Sequence, residues 1–270
     1  MTPEATDRHT YHVQSLDRAF SILGCFSLRQ PQLTLSEICE LTGLPKPTVF
    51  RLLSVLEANR MIARTADGLR YEIGIRTFEL GSIFLTNLSI ERIARPIMER
   101  LSERYDMSCN LAILDDGQVV YVATTDEPGS IRYRPVIGYR HYVHCSALGK
   151  MLIAELSEEA VRAILERRGM PALSPLTITD PDRLVAHLAQ VRASGYAMDD
   201  QEGSQGLCCL AVPIRDHQGK IVASISLSGT SHKFTPEAVR AMSQTMQDSA
   251  AQISRQLGWR AAADEVSGAA

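Results

Sequence analysis

Apolar residues recur along the first part of the chain with the period of an α-helix. Leu16, Ala19, Phe20, Leu23 and Phe26 fall at helical spacing and predict a first helix with these residues on its inner face. Gln30-Pro31-Gln32 breaks the pattern. Thr34-Leu35-Ser36-Glu37 then has the form of a capping box, in which hydroxyl and carboxylate satisfy each other's backbone amides, and it opens a short helix to about Thr42. Gly43 ends that helix, and Pro45 and Pro47 make the connection tight. Beyond them Val49, Leu52, Leu53 and Leu56 repeat at i, i+3, i+4 and i+7. The order is helix, short turn, helix. The period then drops to two. Met61-Ile62-Ala63-Arg64 and Leu69-Arg70-Tyr71-Glu72-Ile73 flank Asp67-Gly68, which predicts a hairpin. A long helical stretch, about 75–88, follows as a linker.

From Ile90 the pattern changes. A helix runs to about Tyr105, and apolar runs of strand length follow at 110–114, 119–124 and 131–136, with a turn at Asp116-Gly117 between the first two. Residues 146–156, 158–168 and 183–194 read as helices, the last opened by Asp180-Pro181. Strands return at 196–199, 207–214 and 221–228, and a final helix runs from Thr235-Pro236 to about Trp259. This half reads as a mixed α+β domain, one antiparallel sheet with helices on its flanks.

Composition narrows the function. No apolar run among the 270 residues reaches the roughly 18 that suggest a membrane span, and the N-terminal MTPEATDRHTYHVQS lacks the apolar core of a signal peptide, so a cytoplasmic protein is expected. Six cysteines (25, 39, 109, 145, 208, 209) lie scattered without a CxxC pair, against a disulfide framework or a zinc ribbon. The net charge of −3 means that any nucleic-acid binding is local.

One local feature points that way. Lys46 stands just before Pro47, where the second helix of the pair begins. A cation at a helix N-terminus meets the positive end of the macrodipole, which is unfavourable by a few tenths of a kcal/mol. A phosphate bound there would reverse the sign, because free first-turn amides and a lysine both attract it. Arg51 and Ser54 project from the side opposite the apolar stripe, flanked by Thr48 and Phe50, at the end of the helix that enters a major groove in such motifs. Residues 46–76 hold six basic side chains against three acidic ones. The candidate DNA-contacting set is Ser36, Lys46, Thr48, Arg51, Arg64 and Arg70. The competing reading is a plain structural helix pair with solvated charges.

The second half offers a candidate ligand site. Ser146 can cap a helix and leave the amides of Ala147, Leu148 and Gly149 to hold a carboxylate. Ser226 and Ser228 share a strand face, as do Cys209 and Ala211 on the strand before. Two hydroxyls, a thiol and a helix start could surround a small polar acid, although serines alternate on any half-solvated strand and Cys209 suits a core. His141 and His144 have a spacing that ligates zinc on a helix, but their stretch reads as a loop without a third ligand, so no metal or cofactor is expected. Cys208 or Cys209 with His144 could form a thiol–imidazole pair, which makes a thiol-dependent enzyme one alternative. A protein-binding adaptor carrying a winged helix is another.

Three stretches carry a family resemblance: VQSLDRAFSIL (13–23) with LTLSEICELTGLPKPTVFRLLSVLEANRMI (33–62), GYRHYVHCSALGKMLIA (138–154), and GYAMDDQEGSQGLCCLAVPIRDHQGKIVASISLSG (195–229). In this order they resemble the isocitrate lyase regulator (IclR) family of bacterial transcription regulators. Residues 1–13 read as a loose polar tail and 261–270 as a second flexible tail, and the resemblance implies a winged helix–turn–helix domain over 14–74, a linker helix over 75–89 and a GAF-like effector-binding domain over 90–260. It implies a homodimer or dimer of dimers on operator DNA, answering to a small carboxylate: a sugar-derived keto or hydroxy acid, a glyoxylate-like acid or an aromatic acid. Effector contacts carry over to Ala147, Leu148, Cys209, Ser226 and Ser228, with Asp199 as acceptor for a ligand hydroxyl. The chain departs from the family where Tyr142-Val143 replace the common Pro-Leu before His144, at Cys208, and at Thr230 after Ser228-Gly229.

Overall fold

The computed structural model describes residues 13–27, 30–87, 89–125 and 136–260. They form two compact units, divided after Asn87.

The first unit opens with α1 (Gln14–Leu23) and a two-residue strand, β1 (Gln32–Leu33). Then come α2 (Leu35–Thr42), α3 (Lys46–Ala58), the hairpin β2 (Ile62–Arg64) and β3 (Tyr71–Ile73), and α4 (Ile75–Asn87). The capping box forms as the sequence predicts: Glu37 N–H donates to Thr34 Oγ1 at 3.3 Å, and Thr34 N–H donates to Glu37 Oε2 at 2.7 Å. Gly43 supplies the left-handed residue that ends α2, at φ 68°. Val49, Leu53 and Leu56 are buried and Leu52 half-buried, so the α3 stripe faces the core.

Two expectations need correction here. The inner face of α1 is Ala19, Ile22 and Leu23, with Ile22 fully buried and Phe26 packing against the same core just beyond the helix end, whereas Leu16 and Phe20 are exposed, Phe20 by 66%. The stripe that starts at Ala19 repeats at i, i+3, i+4 and i+7; the one read from Leu16 runs along its edge. The break at Gln30-Pro31-Gln32 also passes into β1, which pairs antiparallel with β3 and makes the hairpin a three-stranded sheet in the order β1-β3-β2.

The second unit follows the order α5 (Ser89–Tyr105), β4 (Ser108–Asp115), β5 (Gln118–Thr125), β6 (Arg140–His141), α6 (Ala147–Ile153), α7 (Glu158–Arg168) and α8 (Pro181–Ser194). It closes with β7 (Ala197–Asp200), β8 (Leu207–Arg215), β9 (Ile221–Thr230) and α9 (Pro236–Gln256). The six strands form one antiparallel sheet in the order β6-β5-β4-β9-β8-β7. The strand expected at 131–136 falls largely outside the described residues, and Val136, the one described residue of that run, lies in no strand. The partner of β5 on its outer side is instead β6, in a stretch that reads as a loop from sequence because it contributes only two residues to the ladder. The helix expected over 146–156 is shorter, with Ser146 as its cap.

Alternation along the strands sorts side chains between two packing partners. Leu111, Leu210, Val212, Ile225 and Leu227 point to one face, where α5 and α9 cover them with Met98, Leu101, Met242, Met246 and Ile253. Ala112, Tyr121, Cys209 and Ala211 point to the other, where α6 lies, backed by α8. The first turn of α6 approaches the preceding segment backbone to backbone. A Cβ on Gly149 would stand 2.6 Å from Val143 O and 2.7 Å from Ser146 Oγ. Gly149→Ala is therefore expected to destabilise the second unit by about 1–3 kcal/mol, read as a lower denaturant midpoint; an unchanged midpoint would show that this turn tolerates displacement.

Candidate functional site

Beneath the N-terminus of α6 the sheet face turns polar. Register pairing brings Asp199 of β7 opposite Cys209 of β8, Cys209 opposite Ser228 of β9, and Asn110 of β4 opposite Ser226 and Thr124. Asn110 Nδ2 donates to Ser228 Oγ at 3.2 Å, and Thr124 Oγ1 donates to Asn110 Oδ1 at 2.9 Å. Ser226 Oγ is buried with no hydrogen-bond partner among the described residues. Five of the six residues expected at an effector site, Leu148, Asp199, Cys209, Ser226 and Ser228, line one cleft here. Ala147 does not line it; its side chain is buried in the adjoining core. The cleft is narrow, with about 10 Å³ of free space, room for about one water.

The helix start offers two free amides rather than three. Ser146 Oγ accepts from Gly149 N–H at 3.1 Å while donating to Tyr142 O at 3.0 Å. The cap that orders α6 consumes one of the expected donors, and the amides of Ala147 and Leu148 remain without a partner among the described residues.

Sequence reasoning missed several neighbours. Tyr121 and His141 also line the cleft. Lys150, fully buried, holds Glu202 by an ion pair of 2.5 Å. The segment after β7 is pinned over the cleft: Asp199 Oδ1 accepts from Glu202 N–H at 2.7 Å and Gly203 N–H at 3.3 Å, and Thr177 Oγ1 donates to Glu202 O at 2.6 Å. A lysine inside the apolar helix ALGKMLI was the available signal for a buried partner.

Burial dominates the electrostatics. It pushes the Asp199 carboxyl up to about 6, although two amides and Lys150 favour its charged form. It pushes His141 down to about 4, with His144 adding to the effect. His144 is likewise depressed, its Nε2 lying 3.1 Å from Pro171 O. Burial raises the Cys209 thiol far out of the reactive range, and Cys145 and Cys208 go up to about 12. Protonated thiols are poor nucleophiles, and His144 is turned to Pro171, so the thiol–imidazole pair does not form.

On the first unit, α3 begins without a side-chain cap and without an acid in its first turn. Lys46 and Arg51 are exposed there with no ion pair among the described residues, Thr48 is half-buried beside them, and Ser36 is exposed on α2. The two hairpin arginines are already engaged. Arg64 reaches Glu57 at 3.3 Å and lies 4.9 Å over the Tyr71 ring, while Arg70 reaches Glu37 at 3.6 Å and Gln32 O at 3.3 Å. Exposed pairs of this kind are worth little and exchange partners readily.

Residues 15–66 match the model of the IclR helix-turn-helix domain, and residues 83–255 that of the bacterial transcriptional regulator IclR C-terminal domain. The chain belongs to the IclR family. It is 33% identical over 237 residues to the transcriptional repressor IclR of Escherichia coli K12, covering 87% of this chain and 86% of that one. It is 32% identical over 250 residues to the transcriptional regulator XynR of the same organism, covering 92% and 99%. The crystal structure of Thermotoga maritima IclR matches with a TM-score of 0.72 at 31% identity, covering 92% and 100%. An IclR homolog from Microbacterium hydrocarbonoxydans, complexed with 4-hydroxybenzoate, matches with a TM-score of 0.81 at 25% identity, covering 90% and 98%. As an IclR-family member the protein is a DNA-binding transcriptional regulator with an effector-binding domain, and not an enzyme. No helix among its described residues is long and apolar enough to cross a membrane.

Opposed titrations in the cleft give a test of its electrostatics. A carboxyl raised from 3.8 to about 6 contributes stability that is full below the unfolded value and lost as the pH rises to about 6. A histidine depressed from 6.5 to about 4 does the reverse: its contribution is full above 6.5 and lost as the pH falls toward 4. Asp199→Asn keeps an oxygen for the two amides. It is expected to raise the stability of the second unit above pH 6 by roughly 1–3 kcal/mol and to expose the histidine's upward slope between pH 4 and 6.5. Denaturant unfolding across that range checks it; parallel curves for parent and variant would show that Asp199 titrates normally.

Proposed function

We propose that this IclR-family regulator binds operator DNA as a homodimer or dimer of dimers, and that a small carboxylate entering the cleft beneath α6 changes its occupancy of a catabolic operon. The observation that carries the effector reading is the buried Ser226 hydroxyl without a protein partner, in a cleft that also holds the Ser228 hydroxyl, beside the Leu148 amide at the start of α6. An unpartnered buried hydroxyl costs about 1–3 kcal/mol, which a ligand oxygen recovers. The amides of Ala147 and Leu148 suit a carboxylate. The relative crystallised with 4-hydroxybenzoate supports an organic acid as the class. Because the cleft has room for about one water, the acid must widen it. That requirement supplies the difference in affinity between two conformations on which allostery depends.

On the DNA side Lys46, Thr48 and Arg51 form the recognition end of α3, Ser36 contributes from α2, and Arg64 and Arg70 leave Glu57 and Glu37 for phosphates. Lys46 stands at an uncapped helix start without an acid near it, an arrangement unfavourable in isolation and favourable against a phosphate.

Two predictions follow from this reading. Arg51→Ala is expected to weaken operator binding by about 1–3 kcal/mol with relaxed specificity, whereas Lys46→Ala lowers affinity for all sequences and flattens the salt dependence by about one phosphate. Mobility shifts at several salt concentrations separate the two, and undiminished operator affinity in Arg51→Ala removes α3 as the recognition helix. Ser226→Ala is expected to leave the unliganded protein as stable as the parent or more so, and to weaken acid binding by about 0.5–1.5 kcal/mol. Unfolding curves and calorimetric titration with 4-hydroxybenzoate, lactate and pyruvate check this; equal affinity for whichever acid binds would make that strand face structural.

A further inference from the structure

His141 lies on β6 with its ring buried and lining the cleft. Two donors surround its Nδ1. Tyr142 N–H donates to it at 2.7 Å, and Cys145 Sγ stands 3.8 Å away. The Cys145 thiol keeps its proton, since burial foremost and the nearby carboxylates of Asp199 and Glu202 push it up to about 12. Nδ1 therefore carries the lone pair, and a neutral imidazole then bears its hydrogen on Nε2. The tautomer is fixed by the peptide N–H of Tyr142.

The position of that Nε2–H matters. A Cβ built on Gly203 would lie 3.0 Å from Cys145 O, 3.2 Å from Asp199 Oδ2 and 3.8 Å from His141 Nε2. The donor and the carboxylate oxygen thus flank the same bare stretch of backbone. Asp199 Oδ1 is committed to the amides of Glu202 and Gly203, so Oδ2 is the oxygen on this side. One group of a bound molecule is offered a donor, His141 Nε2–H, and acceptors, Asp199 Oδ2 and Cys145 O, at once. A hydroxyl matches both. A keto oxygen accepts from Nε2–H but meets the carboxylate with its own lone pairs, and a methylene leaves both buried groups unpaired.

We infer that His141 is a specificity-determining residue: its Nε2–H, paired with Asp199, selects acids that carry a hydroxyl over their keto and unsubstituted counterparts. This rests on the proposal that a small carboxylate enters the cleft. The Tyr142 amide and the Cys145 thiol are positioning groups that set the tautomer.

The full chain is titrated calorimetrically with two matched sets: lactate, pyruvate and propionate, which differ only at carbon 2, and 4-hydroxybenzoate with benzoate. In at least one set the hydroxylated acid is expected to bind roughly tenfold tighter than its counterparts. His141→Phe should erase that preference, whereas His141→Gln, which restores an N–H near the place of Nε2, should keep most of it. Nitrogen NMR of the imidazoles in the ligand-free parent should show His141 as the Nε2–H tautomer. Binding with no preference for the hydroxyl, a preference that survives His141→Phe, or an Nδ1–H tautomer each overturns the inference and leaves the carboxylate reading standing. No binding by any of the five acids overturns that reading, and the inference with it.

Discussion

The sheet of the second unit is covered on both faces, and this constraint governs the rest. A strand whose two faces are both buried ordinarily carries apolar residues throughout. Here β8 and β9 do so only on the side of α5 and α9. Toward α6 they carry Cys209, Ser226 and Ser228, and β4 adds Asn110. Polar groups removed from water need partners inside the protein. Asn110 finds Ser228 and Thr124, and Asp199 finds two amides. Ser226 finds none among the described residues. A polar layer that is almost closed upon itself is unusual for a core and suited to a binding site.

The same constraint explains the charges near the cleft. A buried lysine is costly unless it is paired. Lys150 is paired with Glu202, which lies on the segment that also donates two amides to Asp199. One ion pair therefore ties α6, which bears the free amides, to the segment flanking the other side of the cleft. Movement of either element strains the pair, so widening the cleft is felt along both. This gives the effector reading a physical route out of the pocket without a long chain of contacts.

Much of this was legible in the sequence, because periodicity and caps are local properties. The capping box at Thr34 and Glu37, the start of α8 at Asp180-Pro181 and the bounds of α7 depend on neighbours in the chain, and all appear. The strand alternation located Ser226, Ser228 and Cys209 on the cleft face, and the Ser146 cap pointed to Leu148. Properties set by tertiary contact were not legible. The rotation of α1 that buries Ile22 in place of Leu16 depends on where α2 and α3 stand. The two-residue strands β1 and β6 exist only because β3 and β5 lie beside them. The capture of the Gly149 amide by Ser146 depends on helix-start geometry, and the partner of Lys150 is 52 residues away.

The division of labour between the two faces of the sheet has an evolutionary side. Leu227 packs against the α5–α9 core, and its neighbour Ser228 lines the cleft. Along β8 and β9 every second residue can change without entering that core. On the proposed reading, substitutions at Cys209, Ser226 or Ser228 would alter the cleft while the residues packed against α5 and α9 stay as they are. Scaffold and recognition surface are interleaved in the same strands, yet they lie on independent sets of positions and can drift apart in sequence.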